Sequence, residues 1–152
     1  MTALDDTDRR ILKVLQRKGR ISNADLAVEV NVSSSASHRR VQRLEEAGVI
    51  RDYVALLDPR HVDRRSTVFV EVTLDSQADE TLAAFERAVA LVEDVLECHL
   101  MAGAADYMLK VVASDTEHFA RIHRQLVRLP GVQKMQSSFA MRTVFKTTAL
   151  PV

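Results

Sequence analysis

An internal repeat constrains this chain more tightly than any single motif in it. A shift of 37 residues carries Leu82, Phe85, Val89 and Val92 onto Phe119, Ile122, Leu126 and Leu129. The same shift carries Val70, Val72 and Leu74 onto Tyr107, Leu109 and Val111, and Val95 onto Val132. The first set recurs at the three- and four-residue steps of one helix face, and the second alternates as a half-buried strand does. Two copies of strand–helix–strand make a βαββαβ chain, and such a chain folds as a ferredoxin-like antiparallel sheet with both helices on one face.

Between these anchors, Leu96, Cys98 and Leu100 alternate as a further strand, which makes Cys98 a small core residue. Gly103-Ala104-Ala105-Asp106 reads as a turn, Ser114 with Glu117 as a capping box, and Pro130-Gly131 as a helix stop. Val132 to Met141 reads as the last strand. The sheet face without helices would carry Phe69, Met108 and Val112 among Glu71, Thr73, Glu97, His99 and Lys110. That mixed, partly apolar surface suits a second subunit as its cover.

The first third of the chain follows a different rule. Leu4, Ile11, Leu12 and Leu15 give an amphipathic helix that Asp5 or Asp6 can cap and Gly19 can end. From Ile21 to Ile50 the spacing predicts two more helices. Ser22 caps the first, with Asp25 placed to close a capping box, and Leu26, Ala27 and Val30 face inward. Asn31 tolerates the left-handed backbone of a tight break. Ser33 caps the second helix, and Gly48 ends it. Two helices joined by so short a turn are a helix-turn-helix.

On the second helix Ser37, Val41 and Leu44 share the inner face at 100° per residue. Ser35, His38, Arg39, Gln42 and Arg43 share the outer one, with Arg40 on its flank as either a phosphate contact or an internal ion-pair partner. Ser33 to Arg43 holds three arginines and no acid. Arginine and glutamine can each make bidentate bonds to base edges in a major groove, and Ser33 and Ser34 sit at a helix N-terminus, which favours phosphate.

Composition sets limits. The 152 residues carry 21 basic and 21 acidic side chains. A polyanionic partner therefore needs a local patch, because the net charge is zero. One cysteine excludes an intrachain disulfide. No apolar run approaches the roughly 20 residues that span a bilayer, and the acidic start is unlike a signal peptide, so a cytoplasmic protein is expected. The five histidines include no pair spaced for metal ligation near a carboxylate (His118 and His123 fall on different sides of their helix). No metal or cofactor is called for.

Several stretches resemble the leucine-responsive regulatory protein/AsnC family of transcription regulators. They are Leu4-Asp5-Asp6-Thr7-Asp8 with Ile11-Leu12, Gly19-Arg20-Ile21-Ser22, Leu26-Ala27, Val32-Ser33, Arg40-Val41, Arg43-Leu44-Glu45 and Gly48-Val49-Ile50. Later come Glu97-Cys98, Gly103 with Asp106-Tyr107, and Leu129-Pro130-Gly131-Val132. The likeness runs from Leu4 to Pro151. It implies an α+β chain with a helix-turn-helix, winged-helix-like head and a ferredoxin-like βαββαβ domain. The residues themselves place the head over 1–57, with Val49 to Leu57 extended as a wing or connector strand, a polar, proline-bearing linker at 58–65, and the second domain over 66–152. That domain would bind an effector and build dimers or octamers.

The resemblance further implies double-stranded DNA and a small amino acid as partners. DNA contacts would come from Ser33, Ser34, Ser35, His38, Arg39, Arg40, Gln42 and Arg43. The effector would meet Gly103, Ala104, Ala105, Asp106 and Tyr107, with Ser137 as the fourth-strand hydroxyl. Amides at Gly103 to Ala105 could bind a carboxylate and Asp106 an ammonium. Three departures stand out: Asn31 where the family has glycine, Ser37 where it has an apolar residue, and Ala104 where an acid is common. Two other functions fit the same residues: a DNA-organising protein without effector, and a ferredoxin-like enzyme or carrier with a docking head. Against the enzyme stands the lack of a nucleophile–base pair or glycine-rich phosphate loop.

Overall fold

The computed structural model describes residues 3–152. They divide into two units, one comprising residues up to Leu56 together with Phe145–Val152, the other Leu57–Val144.

The first unit is a three-helix head. Helix α1 (Asp6–Leu15) is capped by Asp5, whose carboxylate accepts the Asp8 N–H while the Asp8 carboxylate accepts the Asp5 N–H in return, a closed capping box. Helix α2 (Asn23–Glu29) starts at Ser22; here the Ser22 hydroxyl donates to the Asp25 carboxylate, so the box predicted with Asp25 does not reach back to the backbone. Asn31 takes the left-handed backbone at φ 57° and turns the chain into helix α3 (Ser34–Glu46), capped by Ser33. Gly48, at φ 68°, follows its C-cap. The core is Ile11, Leu12, Leu26, Val30 and Leu44.

Three local expectations shift. Helix α1 ends at Leu15 and a turn leads to Gly19, so that glycine does not terminate it. Residues 49–57, expected to be an extended wing or connector strand, pair with no strand. The last eight residues group with the head, although the sequence places them in the 66–152 domain. The Gln16 side-chain amide causes this, donating to the Leu150 carbonyl while the Leu150 N–H donates back, and Val152 packs against the head core.

The second unit runs β1 (Ser66–Leu74), α4 (Asp79–Val89), β2 (Val95–Leu100), β3 (Tyr107–Ala113), α5 (Thr116–Leu126), β4 (Val132–Phe139). The two helices match in length and lie 37 positions apart, Asp79 with Thr116 and Val89 with Leu126. The strands form one antiparallel sheet in the order β2-β3-β1-β4, the ferredoxin-like topology. Val68, Val70, Val72, Leu109 and Val111 are fully buried beneath Phe85, Ile122 and Leu126 of the helices.

Two predictions fail at the periphery. Helix α5 is capped by Asp115, which accepts the His118 N–H, instead of by Ser114 with Glu117; Ser114 donates its hydroxyl to Asp115. Cys98 is exposed, as are Leu96 and Leu100. β2 is an edge strand, and although Cys98 and Leu100 pair with the buried Leu109 and Tyr107, they line an open cleft of about 330 Å³ beside Glu86 and Val89. On the helix-free face Phe69 remains 41% exposed and Met108 half-buried.

Candidate nucleic-acid interface and effector region

The outer face of α3 splits into two parts. Ser35, His38, Arg39 and Gln42 form one contiguous exposed ridge. Arg39 and His38 have no hydrogen-bond or ion-pair partner among the described residues. Ser35 meets only the Ser33 hydroxyl at 3.2 Å, and Gln42 donates to Glu46 one turn on. At the N-terminus, Ser33 is occupied as the cap and Ser34 accepts from the Asn23 amide.

Arg40 and Arg43 form the other part, and both turn toward α1. The Arg40 guanidinium bonds Asp5 at 2.7 Å and Asp8 at 2.8 Å, and Arg43 bonds the other oxygen of Asp8. Asp8 has no exposed surface, whereas the Arg40 and Arg43 side chains are 28% and 49% exposed. The Asp8 backbone N–H and the Arg40 guanidinium hold the Asp5 carboxyl down at about 2. Of the two roles open to Arg40 from sequence, the structure gives it the internal ion pair, and Arg43 shares it. Sequence periodicity could not reveal this, because the acids lie 32 to 35 residues away.

One set of cations escaped the sequence reading. Arg9 to Arg20 contains six basic residues and no acid. All six are exposed, and among the described residues Lys18 alone is ion-paired, to Glu29. The signal was available as an acid-free run. The zero net charge conceals a division: the head unit holds eleven basic and eight acidic side chains, a formal +3, and the other unit ten and thirteen, a formal −3. A basic head attracts polyanions at long range.

The six residues expected to meet an effector do not converge within one chain. Gly103 and Ala104 are exposed, and the amides of Gly103, Ala104 and Ala105 donate to nothing among the described residues. Ala104 and Ala105 border a hollow of about 130 Å³ on the helix-free face, with Glu71, Thr73, Lys134 and Gln136. Asp106 is 7% exposed, and its carboxylate accepts the Leu74 N–H and the Gln77 amide, each at 2.7 Å. That engagement fits a turn-holding role better than an ammonium partner. Tyr107 lies under the helices, stacked on Phe85 and donating to Glu86; burial and then Glu86 push its phenol above the ordinary range. Ser137 pairs with Val70 and so faces the helix side, its hydroxyl buried without a partner.

Known proteins align with both units. Residues 4–51 match the family described as winged helix-turn-helix DNA-binding, and residues 67–150 the Lrp/AsnC ligand binding domain. The leucine-responsive regulatory protein of Escherichia coli K12 is 39% identical over 150 residues, 98% of this chain and 92% of that protein. The chain belongs to the Lrp/AsnC family of transcriptional regulators.

Two solved transcriptional regulators superpose over nearly the whole chain. An AsnC family regulator from Agrobacterium tumefaciens has a TM-score of 0.94 at 38% identity, covering 97% of each chain. A Neisseria meningitidis transcriptional regulator in complex with L-Met has a TM-score of 0.93 at 37% identity, covering 98% of this chain and 97% of that one. Family membership makes the chain a DNA-binding regulator with a ligand-binding domain, and not an enzyme. Among the described residues no helix is long and apolar enough to cross a membrane.

Proposed function

We propose that this Lrp/AsnC regulator reads duplex DNA through Ser35, His38, Arg39 and Gln42, with Ser33 and Ser34 meeting phosphate at the N-terminus of α3. The observation that carries the reading is the ridge itself: a helix face with no acid between Ser33 and Arg43, on which Arg39 and His38 are left unpaired while neighbouring arginines are bound internally. Two such heads on a two-fold axis suit paired half-sites. The helix-free sheet face, with Phe69 and Met108 accessible, is where copies of the second unit would assemble as dimers or larger rings. The cytoplasm, where DNA is at hand, is its working compartment.

In the same reading an amino acid binds the second unit, with its carboxylate on the free amides of Gly103 to Ala105. The site closes only when a second copy is present, because one chain leaves these groups open. The Neisseria relative solved with L-Met supports an amino acid as the ligand class. The engaged Asp106 carboxylate and the missing acid at Ala104 favour the second reading, a DNA-organising protein without effector. A thermal-shift screen against the common amino acids separates the two, since a ligand of the native state raises the melting temperature.

DNA reading is tested by Arg39→Ala on duplex from the protein's own upstream region. A lost base contact should weaken specific binding by about 1–3 kcal/mol and leave assembly unchanged. Unchanged affinity with normal salt dependence removes Arg39 from the reading face.

A further inference from the structure

The buried carboxylate of α1 belongs to no contact yet assigned to DNA or effector. Asp8 accepts from Arg40 through one oxygen and from Arg43 through the other, and Asp5 adds a second acceptor for Arg40. The two acids and two arginines balance in charge, and all four sit between α1 and the recognition helix α3. Arg40 and Arg43 are three residues apart on α3, flanking Arg39 and Gln42.

We propose that Asp8 is a positioning and specificity-determining residue: it clamps Arg40 and Arg43 of the recognition helix to α1 and withholds both cations from DNA phosphates. This rests on the DNA-reading assignment above and adds to it a reason for selectivity. An arginine released beside the groove bonds any phosphate, whatever the sequence, and so strengthens binding to wrong sites as much as right ones. A clamped arginine instead fixes the rotation and tilt of α3, so that Ser35, His38 and Arg39 meet base edges in one register. Discrimination between sequences then depends on an acid that never touches DNA. Asp5 serves the same end more weakly, because it is exposed and holds Arg40 alone.

The test compares full-length wild type with Asp8→Asn and Arg43→Gln. Each is titrated against a duplex selected by the wild type from a random pool, and against a random duplex of the same length, across a salt series. Wild-type discrimination between the two duplexes comes first; its absence would overturn the DNA-reading assignment and, with it, the clamp.

For Asp8→Asn, the random duplex should bind several-fold tighter, with a log K against log salt slope steeper by up to about 0.9 for each arginine released. The selected-to-random ratio should fall at least tenfold. Arg43→Gln should keep the wild-type slope, because Arg43 makes no phosphate contact, while also lowering the ratio; Asp8→Glu should restore it. Two results overturn the proposal. One is a slope shallower by about 0.9 in Arg43→Gln, which makes Arg43 a phosphate ligand. The other is an equal weakening of both duplexes in Asp8→Asn with an unchanged slope, the signature of a support for folding only. Should Asp8→Asn not fold, Arg43→Gln decides alone, since its side chain is half exposed and its loss leaves Arg40 on Asp8.

Discussion

Asp8 and Asp106 are buried carboxylates, one in each unit, and each has both oxygens engaged. Their partners differ in kind. Asp8 holds two arginine side chains that could otherwise swing to DNA, so its bonds decide what the surface of α3 presents. Asp106 holds the Leu74 N–H and the Gln77 amide, so its bonds shape a turn and leave the neighbouring amides of Gly103 to Ala105 open. A single head thus carries the whole of the proposed reading surface, whereas the proposed ligand region of one chain has donors without an enclosing pocket.

That contrast can be broken by substitution. Asp8→Asn takes the charge from the shared acceptor of two guanidiniums that are themselves partly open to solvent, which should cost the head about 3 kcal/mol. Thermal unfolding of the full chain should show the head transition falling while that of Leu57–Val144 holds. Asp106→Asn keeps an acceptor for the Leu74 N–H and loses chiefly the Gln77 bond, so about 1–2 kcal/mol should go from the second unit. Equal losses would erase the distinction between the two acids.

Smaller effects sharpen it. Ser37 is fully buried with its hydroxyl unpartnered. Ser37→Ala should therefore stabilise the head by about 1 kcal/mol in denaturant titration, with DNA affinity unchanged. The smallest effect comes from acid. The Asp5 carboxyl titrates at about 2 when folded against an ordinary 3.8, so its stabilisation is complete above about 3.8 and is lost as pH falls through about 2. The stability difference between wild type and Asp5→Asn should shrink over that window, and one that grew with acid would mean the capping network is not formed.

Local signals carried much of this structure in the sequence. The 37-residue repeat located α4 and α5 because helical spacing survives without knowledge of partners. Ser22 and Ser33 were legible as caps because serine is a favoured cap residue and Ser33 stands just past the Asn31 break. Asp115 was missed since Ser114 beside it is an equally good cap type. Periodicity gave the alternation of Leu96, Cys98 and Leu100 but not that the strand lies at an edge, which depends on the order of the whole sheet. The fate of Arg40, Arg43 and Asp106 was set by partners 29 to 35 residues distant, beyond the reach of any helical or strand period.

Arginine-selective modification with phenylglyoxal, mapped by mass spectrometry with and without duplex DNA, addresses the division of α3 most directly. Arg39 should react readily in free protein and become protected by DNA, while Arg40 and Arg43 react slowly in both states. Ready labelling of Arg40 and Arg43 that DNA then blocks, with Arg39 indifferent, would contradict the account.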